Sequence, residues 1–97
     1  MTDIVDNAAR SRYEVTRDGY TAELNYVIEG HRMVLLHTEV PEALGGQGIG
    51  GELVEAAVQR AARYGLTIIP RCAYARRWLE KHPDRIGGGE IDWTASA

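Results

Sequence analysis

Residues 40–51 read Val40-Pro41-Glu42-Ala43-Leu44-Gly45-Gly46-Gln47-Gly48-Ile49-Gly50-Gly51, and five of the last seven are glycine. An apolar stretch over residues 33–40 leads into this segment, and an amphipathic stretch ending at Tyr64-Gly65 follows it. The pattern predicts a strand, a glycine-rich turn and a helix. A helix N-terminus leaves its first amides unpaired and is electrically positive, and glycines let an anion approach the backbone. We therefore expect a phosphate-binding loop.

The rest of the chain predicts a mixed α/β fold with the order β-β-β-α-β-α. The predicted elements are three strands of an antiparallel meander within residues 12–40, a helix over 47–64, a strand over 66–72 and a helix over 73–81. A strand–helix–strand crossover joins parallel strands with right-handed geometry. It also places the glycine loop at the carboxyl end of a strand, where such sheets bind ligands.

Length and composition predict one small domain. Residues 1–10 lack periodicity and are expected to fray, residues 11–86 are expected to form the domain, and residues 87–97, which open with three glycines, are expected to be a flexible tail. The net charge of −3 gives no reason to expect nucleic-acid binding. No apolar run approaches the ~20 residues of a membrane span. With one cysteine and an acidic N-terminus unlike a signal peptide, the expected location is cytoplasmic.

Three kinds of phosphate site compete for the glycine segment. Residues 46–51 fit the dinucleotide pattern G-x-G-x-x-G, but the following strand leads to Arg71 and Cys72 instead of the acidic residue that binds a ribose. A nucleoside-triphosphatase loop ends in G-K-[ST], and this loop contains no lysine. The sequence therefore fits neither a dinucleotide site nor a nucleoside-triphosphatase loop.

The third kind is the pyrophosphate loop of acetyl-CoA enzymes. Residues 39–50 closely resemble the core motif of the GNAT acyltransferase superfamily, especially its small single-domain branch of predicted acetyltransferases. The resemblance continues through Pro70-Arg71-Cys72-Ala73-Tyr74 to His82-Pro83. It implies that the β-α-β-α part is an acyl-CoA N-acyltransferase-like core. In the superfamily pattern Q/R-x-x-G-x-G/A, Gly48 and Gly50 match, whereas Gly45 replaces the usual arginine or glutamine.

The resemblance also implies which residues bind the cofactor. Backbone amides of the loop would hold the pyrophosphate, and the strands around residues 37–40 and 69–72 would hold the pantetheine arm. The implied cofactor-binding residues are Val40, Gly45, Gly46, Gln47, Gly48, Ile49, Gly50, Gly51 and Cys72. The missing side chain at position 45 is expected to weaken binding by about 1–3 kcal/mol.

Four side chains are candidates for the chemistry, and no metal site is expected. By resemblance, Tyr74 stands approximately where superfamily members protonate the departing thiolate, although it can equally be a core-covering tyrosine. Cys72 would lie near the acyl group, either as a nucleophile or as a buried apolar side chain. His37 and Glu39 should project to the same side of their strand, and either can deprotonate an amine, although a lone strand histidine is more often structural.

The leading prediction is an acetyl-CoA-dependent N-acetyltransferase that acts on a primary amine of a small molecule or protein. The alternative is a non-catalytic CoA-binding or protein-interaction module, which the shortened acceptor side favours, and a third possibility is an acyl intermediate on Cys72. A monomer or weak homodimer is expected, with neither nucleic acid nor membrane as partner. Residues 71–85 carry a local excess of three positive charges, which would help to hold a polyanionic ligand.

Overall fold

A computed structural model describes residues 3–94 of the chain. The strands are β1 (Val5–Asn7), β2 (Arg12–Arg17), β3 (Tyr20–Glu29), β4 (Arg32–Glu39), β5 (Thr67–Pro70) and β6 (Glu90–Ile91). The helices are α1 (Ile49–Tyr64), between β4 and β5, and α2 (Ala73–Lys81), between β5 and β6. The six strands form one sheet in sequence order. The expected mixed α/β class is therefore confirmed.

Both helices pack on the same face of the sheet. Strands β1 to β4 form an antiparallel meander, and β5 is parallel to both β4 and β6. Two right-handed crossovers that advance in the same direction across a sheet leave their helices on one side of it. Accordingly, one hydrophobic cluster joins Leu24 and Leu35 of the strands to Leu53 of α1 and Leu79 of α2. Each fully buried leucine stabilises the fold by about 1.5–3 kcal/mol.

Glycines set both ends of α1. Gly48 precedes the helix with φ +74°, so α1 begins at Ile49, two residues later than the periodicity predicts. Gly65 follows the helix with φ +70°, and the Leu66 N–H donates to the Ala61 carbonyl at 2.8 Å. This is the left-handed helix ending that Gly65 predicts. Neither helix in the described part of the chain is long and apolar enough to cross a membrane.

A bulge in β4 determines which face the candidate side chains occupy. Tyr26 pairs with Leu35 and Asn25 pairs with His37, so the ladder skips Leu36. The extra residue shifts the alternation of side chains by one position. As a result Thr38, opposite the buried Leu24, faces the helices, whereas His37 and Glu39 lie on the opposite face.

The structure corrects the prediction at both ends of the domain. Residues 5–7, expected to fray, form β1 and pair with β2. Glu90–Ile91, expected to belong to a flexible tail, form β6 beside β5. Strands of three and two residues are too short to show periodicity, and their order depends on pairing with the sheet. Residues 1–2 and 95–97 of these two segments lie outside the described residues.

Candidate functional site

The glycine loop ends in the unpaired amides of the α1 N-terminus. A short 3-10 turn at Glu42–Leu44 buries Leu44 in the core, and the chain then passes through Gly46 and Gly48, which both have positive φ. Within the described residues no side chain caps α1, and the Glu52 N–H donates to the Gly48 carbonyl at 3.1 Å. The amides of residues 49–51 precede this bond and have no acceptor within the helix. The exposed loop, Gly45 to Gly48, thus leads into a set of N–H groups suited to an anion.

Gly45 has a local conformational reason to be glycine. Its N–H donates to the Glu42 carbonyl at 3.0 Å and closes the 3-10 turn. A β-carbon at position 45 would lie 3.2 Å from that same carbonyl oxygen, which is a tight contact. The turn therefore disfavours any larger residue here, including the arginine or glutamine usual in the superfamily pattern.

Gly50 and Gly51 are buried beneath two aromatic side chains of α2. A β-carbon at Gly50 would lie 2.6 Å from the Tyr74 hydroxyl, and one at Gly51 would collide with the indole nitrogen of Trp78. These two glycines therefore permit the close packing of α2 on α1. The sequence indicates this packing, because Tyr74 and Trp78 are four residues apart and therefore share one helix face.

The strands β4 and β5 separate beside the loop. Their pairing ends at Leu35 and Pro70, and one further bond joins the Cys72 N–H to the Leu35 carbonyl at 2.9 Å. Residues 37–39 pair with β3 on one side but have no strand partner on the other side within residues 3–94. Such an edge presents free backbone donors and acceptors to an extended ligand. Val40 continues from it and is partly buried against the core.

Cys72 lies on the helix side of this open edge. Its side chain is 8% exposed and belongs to the hydrophobic cluster, as expected for a packing cysteine. Its Sγ lies 3.3 Å from the Thr38 hydroxyl, a contact that the sequence did not predict because it depends on the bulge at Leu36. The sulfur is therefore both packed in the core and adjacent to the end of β4.

His37 and Glu39 lie on the other side of the open edge and contact each other. The Nε2 atom of His37 is 2.9 Å from Oε1 of Glu39, which confirms that the two side chains project to the same side of the strand. They are 61% and 64% exposed, so solvent reaches both. The structure thus separates the four candidate catalytic residues into two pairs, one on each face of the sheet.

Comparison with known proteins decides the family. Residues 12–86 match the family model of the GCN5-related N-acetyl-transferases. The chain belongs to this family. A GCN5-like, proposed N-acetyltransferase of Staphylococcus aureus, solved by NMR, superposes with a TM-score of 0.70 at 27% identity, over 96% of this chain and 93% of the other.

Two curated relatives share a shorter segment with this GCN5-related chain. The Protein NATD1 sequences of Gallus gallus and Mus musculus are each 36% identical to it over 63 residues. The match spans 64% of this chain and 57% of each relative. The chain thus matches little more than half the length of these relatives.

Within this GCN5-related fold, the Tyr74 hydroxyl has a raised pKa. Its side chain is 41% exposed, and its hydroxyl lies at the first turn of α1. Partial burial raises the pKa of Tyr74 above its usual value, and the nearby Cys72 adds to the rise. The Tyr74 hydroxyl therefore carries its proton throughout the neutral pH range.

Proposed function

We propose that this protein is an acetyl-CoA-dependent N-acetyltransferase that acetylates a primary amine. Its family and fold support acetyl transfer. One structural relationship chiefly supports acetyl-CoA as the cofactor. The unpaired amides of α1 and the unpaired edge of β4 meet at the same end of the sheet. A ligand with both a pyrophosphate and an extended amide-containing arm has the chemistry that these two features accept.

The proposed binding of the pyrophosphate and of the pantetheine arm uses backbone groups. The pyrophosphate would bind the amides of the glycine loop and of the first turn of α1, around Gly46 to Ile49. The pantetheine arm would bind the open edge of β4 at residues 37–39. Acetyl-CoA would supply the acyl group as a thioester. Because Gly45 contributes no charged side chain, the α1 amides and the helix dipole carry a larger share of phosphate binding.

The candidate catalytic groups flank the open edge from its two faces. Tyr74 and Cys72 lie on the helix face, and His37 and Glu39 lie on the other. We assign the Tyr74 hydroxyl as the proton donor, because a phenol is protonated at neutral pH and burial moves the pKa of Tyr74 further above that range. We assign the hydrogen-bonded pair of His37 and Glu39 as the group that takes a proton from the incoming ammonium. The amine would then approach from the face that the helices leave uncovered.

A binding and turnover experiment tests this function. Purified protein is heated with and without coenzyme A, and then incubated with acetyl-CoA and a panel of amines, peptides and proteins while free thiol is measured. A ligand at a hundred times its dissociation constant stabilises the fold by about 2.7 kcal/mol, which raises the thermal midpoint of a small domain measurably. No stabilisation and no thiol release across the panel would refute the proposal.

Two glycines at opposite ends of α1 provide a matched pair of variants. Gly48 and Gly65 have φ values of +74° and +70°, and an added β-carbon at either site meets no atom of residues 3–94 within 4 Å. Glutamate at either position therefore introduces similar backbone strain and the same charge. We expect Gly48→Glu to abolish stabilisation by coenzyme A, because its carboxylate repels the pyrophosphate, and Gly65→Glu to retain it.

The burial of Cys72 and the exposure of His37 and Glu39 favour one alternative, a CoA-binding module without turnover. Calorimetric binding of coenzyme A with no thiol release on any amine would select it.

A covalent route through Cys72 predicts an acetyl mass adduct after incubation with acetyl-CoA alone, and persistence of that adduct in Cys72→Ala would exclude the route. A cytoplasmic, monomeric or weakly dimeric protein remains part of the proposal, and size-exclusion chromatography tests the assembly state.

A further inference from the structure

We propose that a groove on α2 binds the 3′-phosphorylated adenosine end of coenzyme A. This inference rests on the proposed function, because it assigns a second part of the same ligand. The α2 groove is lined by Tyr74, Arg77, Trp78, Lys81 and His82 and has a volume of about 310 Å³. Its position, charge and aromatic surface each support this occupant.

The α2 groove begins where the glycine loop ends. Tyr74 and Trp78 line the groove, and the same two side chains pack against Gly50 and Gly51 in the first turn of α1. A pyrophosphate at the α1 N-terminus would therefore lie directly beside the groove. In coenzyme A the ribose and its 3′-phosphate are attached to the pyrophosphate, so the groove lies within reach of the next part of the ligand.

The α2 groove carries two positive charges that the other described residues do not neutralise. Arg77 and Lys81 are exposed, are one helical turn apart, and form no ion pair or hydrogen bond with any residue between 3 and 94. Other cations of the same segment do have partners. Arg76 donates to the Trp93 carbonyl at 3.0 Å, and Arg85 donates to Glu55 at 2.8 Å. Among residues 3–94 no acidic side chain lines the groove, so a phosphate dianion would meet two cations without competition from these residues.

The aromatic surface of the α2 groove is held in place by its own contacts. The Trp78 and His82 rings stack with centroids 4.4 Å apart and an angle of 21° between their planes. The Nδ1 atom of His82 lies 2.8 Å from the Trp78 carbonyl oxygen, which fixes the imidazole at the end of α2. Tyr74 closes the groove at the end next to the first turn of α1. Ordered rings next to cations suit a planar purine with an attached phosphate.

The inference is tested by comparing coenzyme A with 3′-dephospho-coenzyme A. The two ligands differ only in the phosphate that Arg77 and Lys81 are proposed to contact. We expect the wild-type protein to bind coenzyme A about tenfold more tightly, as a charge-assisted contact of a surface phosphate allows. Calorimetry of both ligands gives this ratio directly. Higher salt should reduce the ratio, because the cations are exposed.

Two double variants complete the experiment. Arg77→Ala/Lys81→Ala should lower the ratio to about one, leaving the affinity for the dephospho ligand unchanged within about twofold. The control Arg32→Ala/Arg63→Ala removes the same charge from two exposed residues outside the groove and should retain the wild-type ratio. A wild-type ratio of one, or an unchanged ratio in the first variant, would overturn the groove assignment while the proposed function stands. Failure of the wild-type protein to bind either ligand would overturn both.

Discussion

The indole ring of Trp78 occupies the space that a side chain at position 51 would need. Trp78 cannot easily move away, because it stacks on His82 and is packed against the hydrophobic cluster. Tyr74 covers the neighbouring Gly50 in a similar way, but it is 41% exposed and can rotate outward. The two adjacent glycines therefore differ in how strictly the fold requires them.

We expect Gly51→Ala to lower the free energy of unfolding by about 1–3 kcal/mol, the usual cost of forcing extra volume into a packed region. Gly50→Ala should cost less, because the far end of Tyr74 can yield. Urea unfolding of both variants measures the difference. In a Trp78→Ala background the cost of Gly51→Ala should largely disappear, and an equal loss in that background would show that the indole is not its cause.

Removing one hydroxyl should have opposite effects at two neighbouring tyrosines. The Tyr13 hydroxyl is buried without a hydrogen-bond partner among residues 3–94, although Arg60 lies near enough to influence its pKa. The Tyr26 hydroxyl donates to Asp6 at 2.5 Å and accepts from Arg60 at 3.0 Å. Tyr13→Phe should leave the free energy of unfolding unchanged or raise it by about 1 kcal/mol, and Tyr26→Phe should lower it by about 1–2 kcal/mol. Denaturant midpoints report both, and a large loss in Tyr13→Phe would contradict the first.

The same two tyrosines should make the fold sensitive to alkaline pH. Burial is the main cause that raises the pKa of Tyr13 and of Tyr26 above the usual value of a phenol. A pKa that is higher in the folded state than in the unfolded state, about 10, gives stability that is complete below pH 10 and is lost as pH rises through the folded value. Unfolding free energies measured between pH 8 and 11 should fall at the upper end. Tyr13→Phe should flatten that decline, and an identical decline in the variant would exclude Tyr13 as a source.

Tyr74→Phe separates proton donation from packing. The variant keeps the ring against Gly50 and removes only the hydroxyl. If Tyr74 is the proton donor of the proposed reaction, kcat should fall by about 10²- to 10⁴-fold, with little change in the affinity for coenzyme A. Because burial raises the pKa of Tyr74, wild-type kcat should show no decline from loss of this proton below about pH 10. Unchanged turnover in Tyr74→Phe would remove it from the mechanism.

The order of the main strands and helices could be predicted from the sequence, because each element buries one face and its apolar residues recur at a matching spacing. The Asp18-Gly19 turn is an example, since both residues have the positive φ that this dipeptide predicts. The apolar run Met33-Val34-Leu35 is another, because all three side chains are buried in β4 as its composition indicates. In these segments a local pattern determines the local structure.

The candidate site depends more on contacts between distant segments, which no local pattern records. The bulge at Leu36 arises from the pairing of β4 with β3, so the contact of Thr38 with Cys72 could not be predicted. The loop was predicted as a strand–turn–helix unit, but the reason for Gly50 and Gly51 lies in α2. The assignment of individual residues to cofactor and chemistry remains a prediction.

The skipped residue in β4 also determines how the site responds to a change in the length of that strand. Deleting Leu36 would join Leu35 directly to His37, so the ladder would alternate regularly and His37, Thr38 and Glu39 would keep their present faces. A regular ladder that retained Leu36 would instead turn His37 and Glu39 toward the interior beside Cys72, and Thr38 outward. Parity, as much as side-chain chemistry, therefore keeps two exposed polar groups on one face and a sulfur on the other, so a variant that lacks Leu36 should keep that division, whereas a strand that paired Leu36 in register would lose it.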